Sequence, residues 1–377
     1  MSEFHIPMSQ PDITERDIEA VTRVLRSGRL SIGPCIDEFE EAVRNYVGTR
    51  YAIAVASGTA GLHLCMRAAK AEDGAEVITS PYSFIASANC ILYERGRPVF
   101  VDIDEDSFNI DPDAVEAALT DRTTALLPVH VFGRSARMDR ICRTADRRGL
   151  TVVEDACEAI GAEFAGRKVG TFGKAAVFAF YPNKQMTTGE GGIIVTDDPN
   201  WDRELRALRN HGRAGNEWLE HHHLGFNYRL NEMSAALGLS QISRIEDLLA
   251  RRARVAETYG ERLAHIAGVR VLTPTAGATR MSWFVYIVRL ESGMSRDNIA
   301  ARMGEMGIPT RHYFPPIHLQ PFFVERYGYK RGQFPVTERV SASTLALPFH
   351  TNMPEQAVDR VCRALQTAID EETRLSA

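Results

Sequence analysis

A chain of 377 residues, 44% hydrophobic and 25% charged, is long enough to bury a sizeable core and to divide into more than one domain. Its formal net charge of -5, with acids and bases interleaved, leaves no basic stripe, so neither nucleic acid nor an anionic membrane surface is expected as a partner. The start of the chain carries acids early and is broken by proline, unlike a secretory leader, and the apolar run 52–69 contains His63 and Arg67, unlike a membrane span; a cytoplasmic protein is expected.

In chain order, Thr14 followed by Asp17 marks a capped helix start. Ile18, Val21, Val24 and Leu25 continue it at helical spacing to a stop at Ser27-Gly28. Short apolar, β-branched runs then alternate with helical patterns, at 51–56, 77–79, 99–103, 125–130, 150–154, 176–180 and 192–196. This alternation predicts an α/β fold, a mainly parallel sheet sandwiched by helices. From residue 232 to 263 the pattern reads as one long helix with arginines on its outer face. A strand-like run at 283–290, helical patterns at 297–306 and 354–373, and a Pro/aromatic segment at 313–323 complete a smaller C-terminal α+β unit. The expected division is a large domain over 1–245 and a small one over 246–377. The six cysteines show no Cys-x-x-Cys pairing and suit reduced thiols in apolar surroundings.

Only five of the 44 basic residues are lysines, arginine supplying the other 39, so an amine nucleophile has few candidates. One of them, Lys184, sits in the stretch Phe-Tyr-Pro-Asn-Lys-Gln-Met-Thr-Thr-Gly-Glu-Gly-Gly (180–192), a glycine-rich turn between two strand-like runs. A solvated lysine is protonated at neutral pH, with a pKa of about 10.4, and becomes a nucleophile only where its surroundings disfavour the charge. Three further features stand at the carboxyl ends of predicted strands, where open α/β sheets place ligands. Asp155 follows the run 150–154; Ser57-Gly58-Thr59-Ala60-Gly61 opens a helix whose N-terminus suits an anion; Phe84 lies just past the run 77–79. Each alone has a plainer reading: a surface lysine, a helix cap, an ordinary turn, a core aromatic. Together they are the parts a pyridoxal phosphate requires, namely a Schiff-base amine, a partner for the ring nitrogen, a phosphate cup and a stacking ring.

With these segments the chain resembles the DegT/DnrJ/EryC1/StrS aminotransferases, fold-type I pyridoxal-phosphate enzymes acting mostly on nucleotide-linked keto-sugars. The resemblance runs from SGRLSIGP (27–34) through SGTAGLHL, VEDACEAIGA, PNKQMTTGEGG and GFNYRLNE to HYFPPIHLQP (312–321). It implies that Lys184 forms the Schiff base, Asp155 pairs with the ring nitrogen and Phe84 stacks on the ring. Gly58 and Thr59 would hold the phosphate, and Asn227 would reach it from the neighbouring subunit of a homodimer with shared active sites. Glutamate is the implied amino donor; a nucleotide-linked 3- or 4-keto-6-deoxy sugar is the implied acceptor, cyclitol ketones and aromatic-amine precursors being taken by other members. A non-catalytic cofactor-binding regulator fits poorly with Lys184 and Asp155 both present, and the dehydratase branch has histidine in place of the lysine. Two positions depart from the family pattern. Glu158 stands where a Gln or His commonly meets the ring hydroxyl, and Ala179 where a hydroxyl often binds phosphate. His221-His222-His223 is read as a solvated loop rather than a metal site, because consecutive side chains diverge. Tyr313 and His318 fit either a substrate-side segment or a packing element.

Overall fold

The computed structural model describes residues 5–213 and 220–376. Thirteen strands run in chain order. β1 (Tyr51–Val55), β2 (Glu76–Thr79), β3 (Arg97–Phe100), β4 (Thr123–Leu126) and β5 (Thr151–Asp155) are followed by the short pair β6 (Glu163–Phe164) and β7 (Arg167–Lys168), then by β8 (Ala175–Ala179) and β9 (Gly192–Thr196). The main sheet has seven strands in the order β1-β9-β8-β5-β4-β2-β3. A helix separates each of the first four strands from the next, and such crossovers give parallel neighbours. β8 and β9 are joined by residues 180–191 without a helix, so β9 turns back antiparallel between β8 and β1. β2 and β9 are buried along their whole length, as a sheet covered on both faces requires.

The chain continues with β10 (Val269–Val271), β11 (Ala278–Arg280), β12 (Tyr286–Leu290) and β13 (Thr344–Leu347). β10, β12 and β13 form an antiparallel sheet, while β11 pairs with β6. Helices Arg296–Glu305 and Glu355–Ser376 cover the small sheet with Ile299, Met303, Val361 and Leu365, which pack against Tyr286, Val288 and Leu290. Ile6 joins the same cluster, and the Phe349 amide donates to the Met8 carbonyl at 3.0 Å. The six cysteines are free thiols: Cys65, Cys90 and Cys362 are buried, and Cys35, Cys142 and Cys157 are half-buried.

Three sequence expectations change in detail. The run 125–130 leaves the ladder after Leu126, and its remainder docks on β5 through a hydrogen bond from the His130 amide to the Asp155 carbonyl. The stretch 232–263 is two helices, Glu232–Ile242 and Ile245–Leu263. At the break the Ser243 hydroxyl donates to the Ser240 carbonyl at 2.7 Å, and the Arg244 guanidinium reaches Asp17 at 2.8 Å. A local hydroxyl bond competes with the helix ladder, and the ion pair fixes the turn. Helix Glu15–Ser27 carries the predicted capping box, yet it buries Asp17, Ala20 and Val24 while Ile18 and Leu25 are about half exposed. Arg244 and Gln241 draw Asp17 inward, which rotates the apolar positions outward.

Candidate active site

β1, β2, β4, β5 and β8 are parallel, so the loops leaving them open on one edge of the sheet. There a cavity of about 430 Å³ is lined by Gly58 and Thr59 after β1, Phe84 after β2, Asp155 and Glu158 after β5, and Lys184 after β8. Asn227 does not line it. That residue is exposed, in a segment held beside β1 by a 2.8 Å bond from the Ala56 amide to the Tyr228 carbonyl.

Asp155 is the last residue of β5 and is 4% exposed. Its amide donates to the Pro128 carbonyl at 2.9 Å. One carboxylate oxygen, Oδ2, accepts from the Ser87 hydroxyl at 2.6 Å, and Oδ1 accepts from the Cys157 amide at 3.2 Å. The Cys157 thiol lines the cavity too, but burial and the Asp155 carboxylate hold its pKa well above the ordinary thiol value, so it stays protonated.

Lys184 rides on the β8–β9 hairpin, which is closed by 3.0 Å bonds from the Phe180 amide to the Gly191 carbonyl and from the Thr188 amide to the Phe180 carbonyl. Its Nζ lies 3.8 Å from the centre of the Phe284 ring and 3.5 Å from Glu158 Oε1. The other Glu158 oxygen accepts from the Phe132 amide at 2.9 Å. Burial raises the Glu158 pKa, and the Asp155 carboxylate adds to this, outweighing the opposing pull of Lys184 and the Phe132 amide.

The cup is the start of helix Gly58–Ala68, capped by Ser57, whose hydroxyl accepts from the Ala60 amide at 3.1 Å. The first amides of a helix have no intrahelical acceptor and face an anion with the helix dipole behind them. Two glycines let cup and hairpin touch. A Cβ on Gly58 would stand 2.7 Å from the Ala179 Cβ and 2.9 Å from the Cys157 Sγ; one on Gly192 would stand 2.7 Å from the Gly58 amide nitrogen. Phe84, 60% exposed, stands at the rim.

Several lining residues escape a reading by motif. Ser83 and Ser87 differ by one helical turn, a weak signal, and Asn183 lies inside the lysine motif itself. Tyr313 also lines the cavity, whereas His318 is fully buried and pairs with Glu338 at 3.1 Å; of that segment, Tyr313 faces the site and His318 is packing. Phe284 comes from the small sheet's side, and its neighbours in sequence look like any core strand. His221 and His222 are exposed, the first bonded to the His211 carbonyl and the second beside Glu220.

The model of the DegT/DnrJ/EryC1/StrS aminotransferase family matches residues 11–366. The chain belongs to that family. This aminotransferase is 39% identical over 342 residues to GDP-perosamine synthase of Caulobacter vibrioides, covering 90% of the chain and 91% of that protein. Its fold is similar to Helicobacter pylori PseC, described as an aminotransferase involved in the biosynthesis of pseudoaminic acid, with a TM-score of 0.93 at 28% identity over 98% of this chain and 100% of that one. The sugar aminotransferase Spr1654 of Streptococcus pneumoniae, so titled as putative and solved in a PMP form, superposes with a TM-score of 0.94 at 27% identity over 99% of this aminotransferase and 100% of its own chain.

The residues gathered in the cavity fit a pyridoxal phosphate. They supply one amine, one buried carboxylate with lone pairs to spare, a helix N-terminus kept open by Gly58, and a rim aromatic. Among the described residues the buried Asn183 Oδ1 has no hydrogen-bond partner, an unmet acceptor that a polar ligand would satisfy. Among the described residues no helix is long and apolar enough to cross a membrane.

Proposed function

We infer that the protein transfers an amino group from an amino acid, glutamate, to a keto-sugar in amino-sugar biosynthesis, the acceptor being a nucleotide-linked 3- or 4-keto-6-deoxy sugar. The observation that carries the reading is the placing of Lys184 and Asp155 on one cavity beside an open helix N-terminus. The relatives' names, one of them GDP-linked, support the substrate class. When bound, pyridoxal phosphate supplies an electron sink for the pair released from the Cα–H bond.

The chain's own residues do the rest. Lys184 would tether the cofactor through its amine and, once free, would serve as the acid/base that takes and returns the proton of the donor's Cα. Asp155 would face the ring nitrogen with a buried carboxylate that favours a proton there. Gly58 and Thr59 hold the phosphate through the helix N-terminus, and Phe84 packs on the ring face. Glu158, its pKa raised by burial, would meet the ring hydroxyl, donating to it where protonated as a Gln would. Phe284, lying over Nζ, keeps water from the amine. Asn227, exposed beside the cup, serves the phosphate of a second copy in a homodimer with shared sites.

The test is a screen of nucleotide-linked 3-keto and 4-keto sugars and simple cyclitol ketones with glutamate as donor. Release of 2-oxoglutarate with amination of a nucleotide-linked sugar is expected. Amination of cyclitols alone overturns the substrate, and no transfer from any donor overturns the reaction.

A further inference from the structure

Two serines stand behind the ring-nitrogen carboxylate. Ser87 is 1% exposed, and its hydroxyl donates to Asp155 Oδ2 at 2.6 Å. Ser83 is 5% exposed, with its hydroxyl 2.7 Å from that of Ser87. An ionised carboxylate only accepts, so the Ser87 proton is committed to Asp155 and Ser83 must donate to Ser87. The direction of the chain is thereby set: Ser83 to Ser87 to Asp155. Ser87 lies in the first turn of helix Ala86–Tyr93, where the helix dipole also favours a negative charge. Phe84 sits between the two serines in sequence, so one turn both presents the stacking ring and grips the carboxylate from behind.

We propose that Ser87, backed by Ser83, is a positioning residue for amino transfer: it holds the Asp155 carboxylate turned so that its remaining lone pairs face the ring nitrogen. The proposal rests on the assignment of Asp155 made above. A hydroxyl bonded to a charged group at this distance is a strong hydrogen bond, and its loss leaves the buried oxygen without a donor. The other titratable groups around Asp155 are Lys184 on the hairpin, Cys90 on the helix that carries Ser87, and Cys157 and Glu158 on its own segment. None of them replaces the Ser87 proton at Oδ2.

The experiment uses the full chain loaded with pyridoxal phosphate, comparing wild type, Ser87→Ala, Ser87→Thr and Ser83→Ala in the glutamate half-reaction. Ser87→Ala is expected to lower kcat about tenfold with KM for glutamate nearly unchanged. Its affinity for the cofactor, read by fluorescence of the apoprotein on titration, should fall severalfold. Ser87→Thr should restore kcat and cofactor affinity, and Ser83→Ala should show the same losses at smaller size. A Ser87→Ala protein with the wild-type kcat and cofactor affinity overturns the relay, as does a Ser87→Thr protein no better than Ser87→Ala. A wild type that binds the cofactor without any half-reaction overturns the underlying reading of Asp155 and the relay with it.

Discussion

Glu158 offers one carboxylate oxygen to the Phe132 amide and turns the other toward the amine of Lys184, 3.5 Å away. Burial raises its pKa, so this acid stays protonated to a higher pH than an ordinary glutamate does. An acid so raised adds stability that is full below its unfolded value, near 4.5, and is lost as the pH climbs through its folded value. Glu158→Gln keeps the shape and cannot ionise. In thermal melts of the cofactor-free protein, the wild type should therefore lose ground to Glu158→Gln as the pH rises above about 4.5. A constant difference across that range would show that the carboxyl does not titrate as described.

Lys184→Ala should reduce amino transfer by about 10²- to 10⁴-fold, the range typical of a positioned acid/base group. Borohydride reduction of the loaded wild type followed by peptide mapping should place the label on Lys184. A label on Lys70, Lys168, Lys174 or Lys330 would reassign the amine.

Asp155→Asn retains size and an acceptor oxygen for Ser87 while removing the charge opposite the ring nitrogen. The expected result is a fall in kcat of similar order, with the protein still folded and still binding the cofactor. Turnover at the wild-type rate would remove the carboxylate from the mechanism.

Gly58→Ala would drive a methyl group against Ala179 and Cys157, both held on rigid neighbouring segments. Overpacking of this kind costs about 1–3 kcal/mol, and here it also displaces the cup. Cofactor affinity measured by apoprotein titration should drop more than the urea midpoint does.

Glu232 should prove indispensable to the fold although it lies outside the cavity. It is 1% exposed, and its carboxylate accepts from the Gly33, Cys35 and Ile36 amides at 3.1, 3.0 and 3.2 Å, joining the SGRLSIGP and GFNYRLNE segments. Glu232→Ala leaves those amides without an acceptor and should cost about 3 kcal/mol in urea unfolding. A loss under about 1 kcal/mol would mean that water replaces the carboxylate.

Much of this arrangement could be read from residue patterns. Runs of apolar, β-branched residues located the main strands, because a strand buried on both faces leaves an unbroken apolar trace. Lys184, Asp155, Gly58 and Phe84 were legible because each follows such a run and chemistry gives each a distinct type. The rest depends on distant partners. The break at Ser243-Arg244 is set by Asp17, more than two hundred residues away, which no local pattern records. Ser87 reads as an ordinary first-turn serine until Asp155 is seen beside it, and Phe284 reads as core until Lys184 is found above its ring. The antiparallel course of β9 was implicit in the short link from β8, whereas its position between β8 and β1 was not.

Ile6 packs among residues that run from Val255 to Ile369. During synthesis this arm is made about 250 residues before the nearest of those neighbours, and such distant pairing delays closure. Until translation has passed the last helix, the arm has nowhere to dock, and shortened products ending before that helix would display it to solvent.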